Sequence, residues 1–104
     1  MIAELRAQQE HEAALRAIDR ALALDPGYAG AQNNAGVVLH RMHRYGDAVE
    51  RFRAAISIDE EHVDAWLNLG YSHLAMGNNR EALRCAARAE TLMKARGPPK
   101  GVTL

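Results

Sequence analysis

Shifted by 34 residues, the chain falls back onto itself without a gap. Ala14, Ala48 and Ala82 keep that spacing, as do Ala21, Ala55 and Ala89. Leu15, Val49 and Leu83 follow it too, and so do Leu24, Ile58 and Leu92. The second and third copies also pair Ala31 with Ala65, Asn34 with Asn68, Gly36 with Gly70, and Met42 with Met76. A unit of this length is one supersecondary element, unable to bury its apolar face alone, so the copies must stack. Abundant alanine and few β-branched residues favour helix. Proline stands only at Pro26, Pro98 and Pro99, leaving the rest of the chain free to be helical. In the third copy Trp66, Leu69, Gly70 and His73 fall at spacings of three and four, on one helix face. A large residue beside a glycine predicts a second helix packed closely there.

With these residues in place, the chain resembles the tetratricopeptide repeat. That pattern runs Trp, Leu and Gly on a first helix, then Ala, a large aromatic, Ala and Pro. The third copy supplies Trp66, Leu69, Gly70, Ala82 and Ala89. The second supplies Gly36, Tyr45, Ala48, Phe52 and Ala55, and the first Ala14, Ala21 and the run Leu24 to Tyr28. The resemblance extends to about Ala95. It implies an all-α fold, a right-handed solenoid of antiparallel helix pairs, A and B. One domain is expected over residues 1–96: a partial repeat 1–28, then repeats 29–62 and 63–96, with a flexible tail 97–104. Helices are predicted near 1–9, 12–24, 29–42, 46–58, 63–76 and 79–95. Gly70 and Ala82 should let two backbones approach, with Trp66 and Leu69 filling the space beside them. Gly77 suits a left-handed end to helix A. His43 stands there in the second copy and tolerates positive φ better than most residues. Asp47 and Glu81 sit in the first turn of each B helix, where an acid suits the dipole.

The ends depart from the pattern. Counting back from Gly36, Met1 falls at the seventh position of its repeat, so the chain is expected to be a fragment of a longer protein. In the third copy Ala86 replaces Phe52, Glu90 replaces Ile56, and Met93-Lys94 replaces the Asp-Pro turn. The last helix is expected to run to about Arg96 and stop at Gly97-Pro98-Pro99, as the terminal repeat of its array.

Lys plus Arg and Asp plus Glu are 13 each, a formal net charge of zero, so nothing points to nucleic acid. No apolar run is long enough for a membrane span, and Met1 to Glu10 holds no signal-peptide core. Cys85 is the single cysteine, which excludes an internal disulfide and favours a reducing compartment, here read as the cytoplasm. His40 and His43 are three apart but lack a third ligand, and read as a solvent-facing His40 and a turn His43. Cys85 and His73 lack the further groups a nucleophilic pair needs, and Cys85 reads as a small buried thiol. Gly77-Asn78-Asn79 is a helix connection rather than a phosphate loop. Arg80, Arg84 and Arg88, interrupted by Glu81 and Glu90, form a solvated stripe. No enzyme, metal or cofactor is expected.

The A-helix faces left over from packing should line one concave groove. Its candidate residues are Asn33, Asn34, Val37, His40 and Arg41 in the second copy, and Asp64, Leu67, Asn68, Tyr71 and Leu74 in the third. Asn34 and Asn68 occupy the same repeat position. The resemblance implies that such asparagines can hold the backbone of an extended peptide, since an amide both donates and accepts. The alternative is an Asn bonded to the neighbouring repeat. A basic carboxylate clamp is not expected, because Asp64 has the wrong sign. The leading function is a non-catalytic protein-interaction module that binds a peptide segment of a partner. The alternatives are a self-assembling element, joined as a homodimer through the incomplete first repeat (Met1, Ile2, Leu5, Leu15, Ile18), or the scaffold segment of a larger enzyme.

Overall fold

The computed structural model describes residues 1–96, which form five α-helices: α1 Ile2–Leu24, α2 Ala29–Arg41, α3 Tyr45–Ile58, α4 Val63–Ala75 and α5 Asn79–Arg96. The tail expected to be flexible, 97–104, lies outside the described residues. Each helix packs on the next, and α2 also touches α4 across the stack. This is an all-α repeat solenoid, in which α2–α3 and α4–α5 are two complete hairpins.

Two kinds of turn cut the chain into helices, and each is written in short local signals. The A-to-B turns close as a pair of capping bonds. The His43 and Arg44 amides donate to the carbonyls of His40 and Leu39, at 2.9 Å each; Gly77 and Asn78 donate to Leu74 and His73, at 3.0 and 2.8 Å. That motif needs a residue of positive φ, and His43 (φ 61°) and Gly77 (φ 79°) supply it. The His43 ring also shares a 2.6 Å hydrogen bond with the Tyr45 hydroxyl, which helps to hold the turn. The B-to-A turns use aspartate. Asp25 and Asp59 each accept, through a side-chain oxygen, the amide two residues on: Gly27 at 3.2 Å and Glu61 at 3.0 Å.

Where a signal is missing, the helix runs on. Gln9 and Glu10 stand where the other copies have His43-Arg44 and Gly77-Asn78. Neither tolerates a left-handed backbone, and both are good helix formers. The two helices expected near 1–9 and 12–24 are therefore one helix of 23 residues, and residues 1–10 of it are exposed throughout. At the other end Met93 stands in the place of Asp25 and Asp59, and α5 continues to Arg96. There the Arg96 guanidinium donates to the Glu61 carbonyl at 2.7 Å.

The core lies between the hairpins. Leu39, Ala48, Val49, Phe52, Leu69 and Cys85 form its main cluster, and Val63, Ala89 and Leu92 a second one beneath α4 and α5. Phe52 is the largest fully buried side chain, 1% exposed. Its ring lies directly on Gly36, where a Cβ would stand 2.4 Å from a ring carbon. The expected partnership of Trp66 with Gly70 is corrected. Trp66 is only half-buried, packing against the edges of both clusters while its indole N–H donates to the Glu60 carbonyl at 2.9 Å. The nearest neighbours of Gly70 are the Cys85 Cβ and the Ala82 carbonyl. Burial, with a smaller contribution from Glu81, pushes the Cys85 thiol above its ordinary pKa, while Arg53 opposes the shift.

Candidate functional site

The candidate groove residues come from α2 and α4, the two A helices, which lie side by side. A pocket of about 120 Å³ opens between them, lined by Val37, His40, Arg41, Phe52, Asn68 and Tyr71. Arg41 and Tyr71 are exposed, and Tyr71 keeps 59% of its surface. Asn34 also faces solvent on α2, and Asp64 on α4. Leu67 is half-buried against the second core cluster. Leu74 is 58% exposed and does not line this pocket.

Three residues sit differently from expectation. Asn33 is buried, and its side-chain oxygen accepts from the Asn68 amide at 3.1 Å. Asn68 thus spends its two-proton nitrogen partly on the neighbouring repeat, the alternative weighed for it above. Its own oxygen remains free of protein partners in this contact, and Asn34 stays open. His40 is not solvent-facing: it is half-buried, its Nδ1 lies 2.9 Å from the Ser72 hydroxyl, and its ring packs edge-on against Tyr45. The two inter-repeat bonds, Asn33–Asn68 and His40–Ser72, fasten α2 to α4 and hold the pocket walls in register. Phe52 and Ser72 are the residues of this region that sequence reading missed. Phe52 enters the sequence analysis only as the motif's large aromatic, and Ser72, two residues after Gly70, carries no signal that would single it out.

Around the groove the charges are sparse. Among the described residues Arg41 has no bonded acid, and Asp64 lies at the start of α4. The ion pairs of the described residues lie elsewhere: Arg44–Asp47 at 2.7 Å, Arg51–Asp19 at 3.1 Å, Lys94–Glu90 at 3.0 Å and two looser ones. Among the described residues no three His, Cys, Asp or Glu side chains converge as a metal site would need, and no helix is long and apolar enough to cross a membrane.

Comparison with known families decides the lineage. One tetratricopeptide repeat model matches residues 39–91, just over half of the chain, and a second matches residues 3–56. The chain belongs to the tetratricopeptide repeat family. Anaphase-promoting complex subunit 3 of Schizosaccharomyces pombe is 36% identical over 75 residues, 72% of this chain and 11% of that protein. Human tetratricopeptide repeat protein 7B is 31% identical over 84 residues, 81% of this chain and 10% of that one. The chain therefore spans about a tenth of the length of these relatives. Among solved structures, MamA superposes with a TM-score of 0.81 at 29% identity, covering 84% of this chain and 51% of that one. The second repeat domain of Spaghetti (RPAP3), solved with the HSP90 peptide SRMEEVD, superposes with a TM-score of 0.77 at 21% identity, covering 82% of this chain and 79% of that one. At that identity the likeness establishes the fold alone. Tetratricopeptide repeats are in general interaction modules and scaffolds, and this chain is a protein-interaction module of that kind.

Proposed function

We propose that the module binds an extended peptide segment of a partner protein along the α2–α4 groove. The observation that carries this reading is the pocket of about 120 Å³ that bridges the two A helices. Its wall of Val37, Phe52 and Tyr71 suits one apolar side chain. Arg41 at its rim suits an acidic neighbour in the peptide, and the open amide of Asn34, with the free oxygen of Asn68, suits the peptide backbone. Tyr71, aromatic and amphipathic near the centre, is the expected hot spot. Asp64 disfavours a peptide whose acids reach that far. RPAP3, a structural neighbour of the same fold, was solved bound to a peptide, SRMEEVD, which supports a peptide ligand for this fold.

A second reading has its own observation. Met1, Ile2 and Leu5 project into solvent from the start of α1, an apolar stripe suited to self-association as a homodimer. That the module serves as the scaffold part of a larger enzyme, and that it works in the cytoplasm with its one thiol buried and reduced, are proposals of the same standing.

The groove is tested with peptides selected against the chain by phage display. Asn34→Ala with Arg41→Ala removes a side-chain amide and the rim cation, both exposed, so the fold should persist by circular dichroism. The selected peptides should bind that variant roughly tenfold or more weaker, the sum of two polar contacts at about 0.5–1.5 kcal/mol each. Unchanged affinity would place the peptides outside the groove.

A further inference from the structure

On the side of the B helices, two grooves occupy equivalent places one repeat apart. The first lies between α1 and α3, and the second between α3 and α5. Moving by 34 residues maps Asp19, Gln32, Glu50, Arg51 and Ala54 onto Arg53, Trp66, Arg84, Cys85 and Arg88. A guanidinium bridges the walls of the first groove: Arg51 of α3 holds Asp19 of α1 at 3.1 Å and also donates to Gln32 at 3.3 Å. In the second groove both ends of that bridge are replaced, Asp19 by Arg53 and Arg51 by Cys85. No ion pair among the described residues joins α3 to α5. The two helices stay apart, each packed on α4, and a cavity of about 410 Å³ lies between them.

The two grooves also differ in sign. The first is lined by Asp19, Asp47 and Glu50 against Arg44 and Arg51. The second is lined by Arg53, Arg84 and Arg88 against Glu81 alone. Among the described residues Arg53 and Arg88 have no ion-pair partner, and Arg84 meets Glu81 only loosely, at 3.6 Å. The three arginines are exposed, whereas the floor between them is apolar: Ile56, Leu69 and the half-buried ring of Trp66. Along the sequence Arg84 and Arg88 belong to a solvated stripe. The fold adds Arg53 from the facing helix, whose charge reaches Cys85 across the groove. Both walls and the floor lie within the described residues. In a solenoid each repeat contacts only its neighbours, so a repeat stacked beyond α1 or α5 does not enter between α3 and α5.

We propose that the α3–α5 groove binds an acidic peptide segment of a partner protein. Its carboxylates pair with Arg53, Arg84 and Arg88, and one apolar side chain between them rests on the floor beside Trp66. The planar guanidinium matches a carboxylate with two parallel hydrogen bonds, and here the charges of Arg53 and Arg88 are uncompensated. An apolar side chain set between acids fits the rim and the floor at once, whereas a uniform polyanion fits only the rim. The site shares no lining residue with the α2–α4 groove, so the two proposals fail separately.

Trp66 is the only tryptophan of the chain and lines this groove but not the other, so its fluorescence reports the site directly. The probe is the peptide acetyl-Glu-Glu-Leu-Glu-Glu-amide, titrated into the 104-residue chain at low salt. A saturable change in emission is expected, and the affinity should fall as added salt screens the charges. Replacing the central leucine of the peptide by glycine should weaken binding by about tenfold, through loss of the apolar contact. Arg53→Asp with Arg88→Ala gives the groove the residues found one repeat earlier, at Asp19 and Ala54. Both positions are exposed, so circular dichroism should show an intact fold, while the leucine peptide binds about tenfold or more weaker. Asn34→Ala with Arg41→Ala should leave the Trp66 response unchanged. No saturable response, equal binding of the glycine peptide, or equal binding to the folded Arg53→Asp, Arg88→Ala variant would each overturn the proposal. Oligothymidylate binding more tightly than the leucine peptide would do so too, since the ligand would then be nucleic acid. So would sedimentation showing a dimer of the chain that dissociates in the same variant, because the occupant would then be a second copy.

Discussion

In repeat two the ring of Phe52 lies on Gly36, sealed from water by the next hairpin. In repeat three the same backbone frame holds Gly70, Cys85 and Ala86, and the ring is missing. The A helices are 13 residues each and the A-to-B turns share one geometry, so the frame does not depend on the ring. What differs is the use of glycine. Gly36 is a strict requirement, since a Cβ there would stand within 2.4 to 2.8 Å of three ring atoms. Gly70 is a tolerance, since its Cβ would meet the Cys85 Cβ at 3.3 Å and the Ala82 carbonyl at 3.4 Å. The same repeat position thus carries a strict packing constraint in one copy and a looser one in the other.

The largest effects should fall on repeat two. Phe52→Ala removes a fully buried ring and should cost about 3–5 kcal/mol. Gly36→Ala forces that ring off its seat and should cost about 1–3 kcal/mol by overpacking. Gly70→Ala should fall within about 0.5 kcal/mol of the parent. Its close contacts are offset by the roughly 0.5–1 kcal/mol that alanine gains over glycine inside a helix. Urea denaturation monitored by circular dichroism measures all three. Equal losses for Gly36→Ala and Gly70→Ala would abolish the distinction between the two copies.

Trp66 sharpens the comparison from the other side, and its expected loss is smaller than that of Phe52. The resemblance drew attention to the tryptophan as the filler of the repeat, yet the ring is half-buried and tied to Glu60 at its polar edge. Trp66→Ala should therefore cost about 2 kcal/mol, below the roughly 3–5 kcal/mol of a buried large-to-small change. A loss matching that of Phe52→Ala in the same urea series would show that Trp66, not Phe52, carries the junction.

The period located equivalent positions well, because equivalence needs only matched residues. It located contacts less well, because contact depends on how neighbouring helices cross. Asn34 and Asn68 are equivalent, but the residue bonded to Asn68 is Asn33, 35 positions away. His40 likewise meets Ser72 at a separation of 32. A slip of one or two residues turns an open amide into a buried one, and that slip is set by side-chain packing between helices rather than by the repeat itself. The turns were legible where they carry chemistry of their own: a positive-φ residue at 43 and 77, aspartate at 25 and 59. The fused α1 was missed because the period implied a turn at Gln9, whereas the local residues favour continued helix. Val37, Arg41, Asn68 and Tyr71 were placed on one face and do line one pocket.

The smallest effect concerns the two A-to-B turns, which reach the same backbone conformation by different means. At position 43 a histidine holds φ 61°, in a region that costs an L-residue roughly 1–2 kcal/mol. Its ring recovers part of this through the hydrogen bond to Tyr45, a contribution of about 0.5–1.5 kcal/mol. At position 77 glycine adopts φ 79° without that steric cost, and Asn79 stands where Tyr45 would be. His43→Gly relieves the backbone but loses the ring contact, and frees the unfolded chain by roughly 0.5–1 kcal/mol. The three changes oppose one another, so the variant should melt within a few degrees of the parent. Gly77→His takes on the steric cost with no tyrosine to offset it, and should lose about 1 kcal/mol. In a domain of this size that lowers the melting temperature by roughly 4–8 °C. Adding Asn79→Tyr to Gly77→His should restore part of the loss by recreating the pair found at His43 and Tyr45. If the double variant melts no higher than Gly77→His alone, the histidine–tyrosine bond contributes nothing to the turn, and the left-handed backbone at position 43 is held by its helices alone.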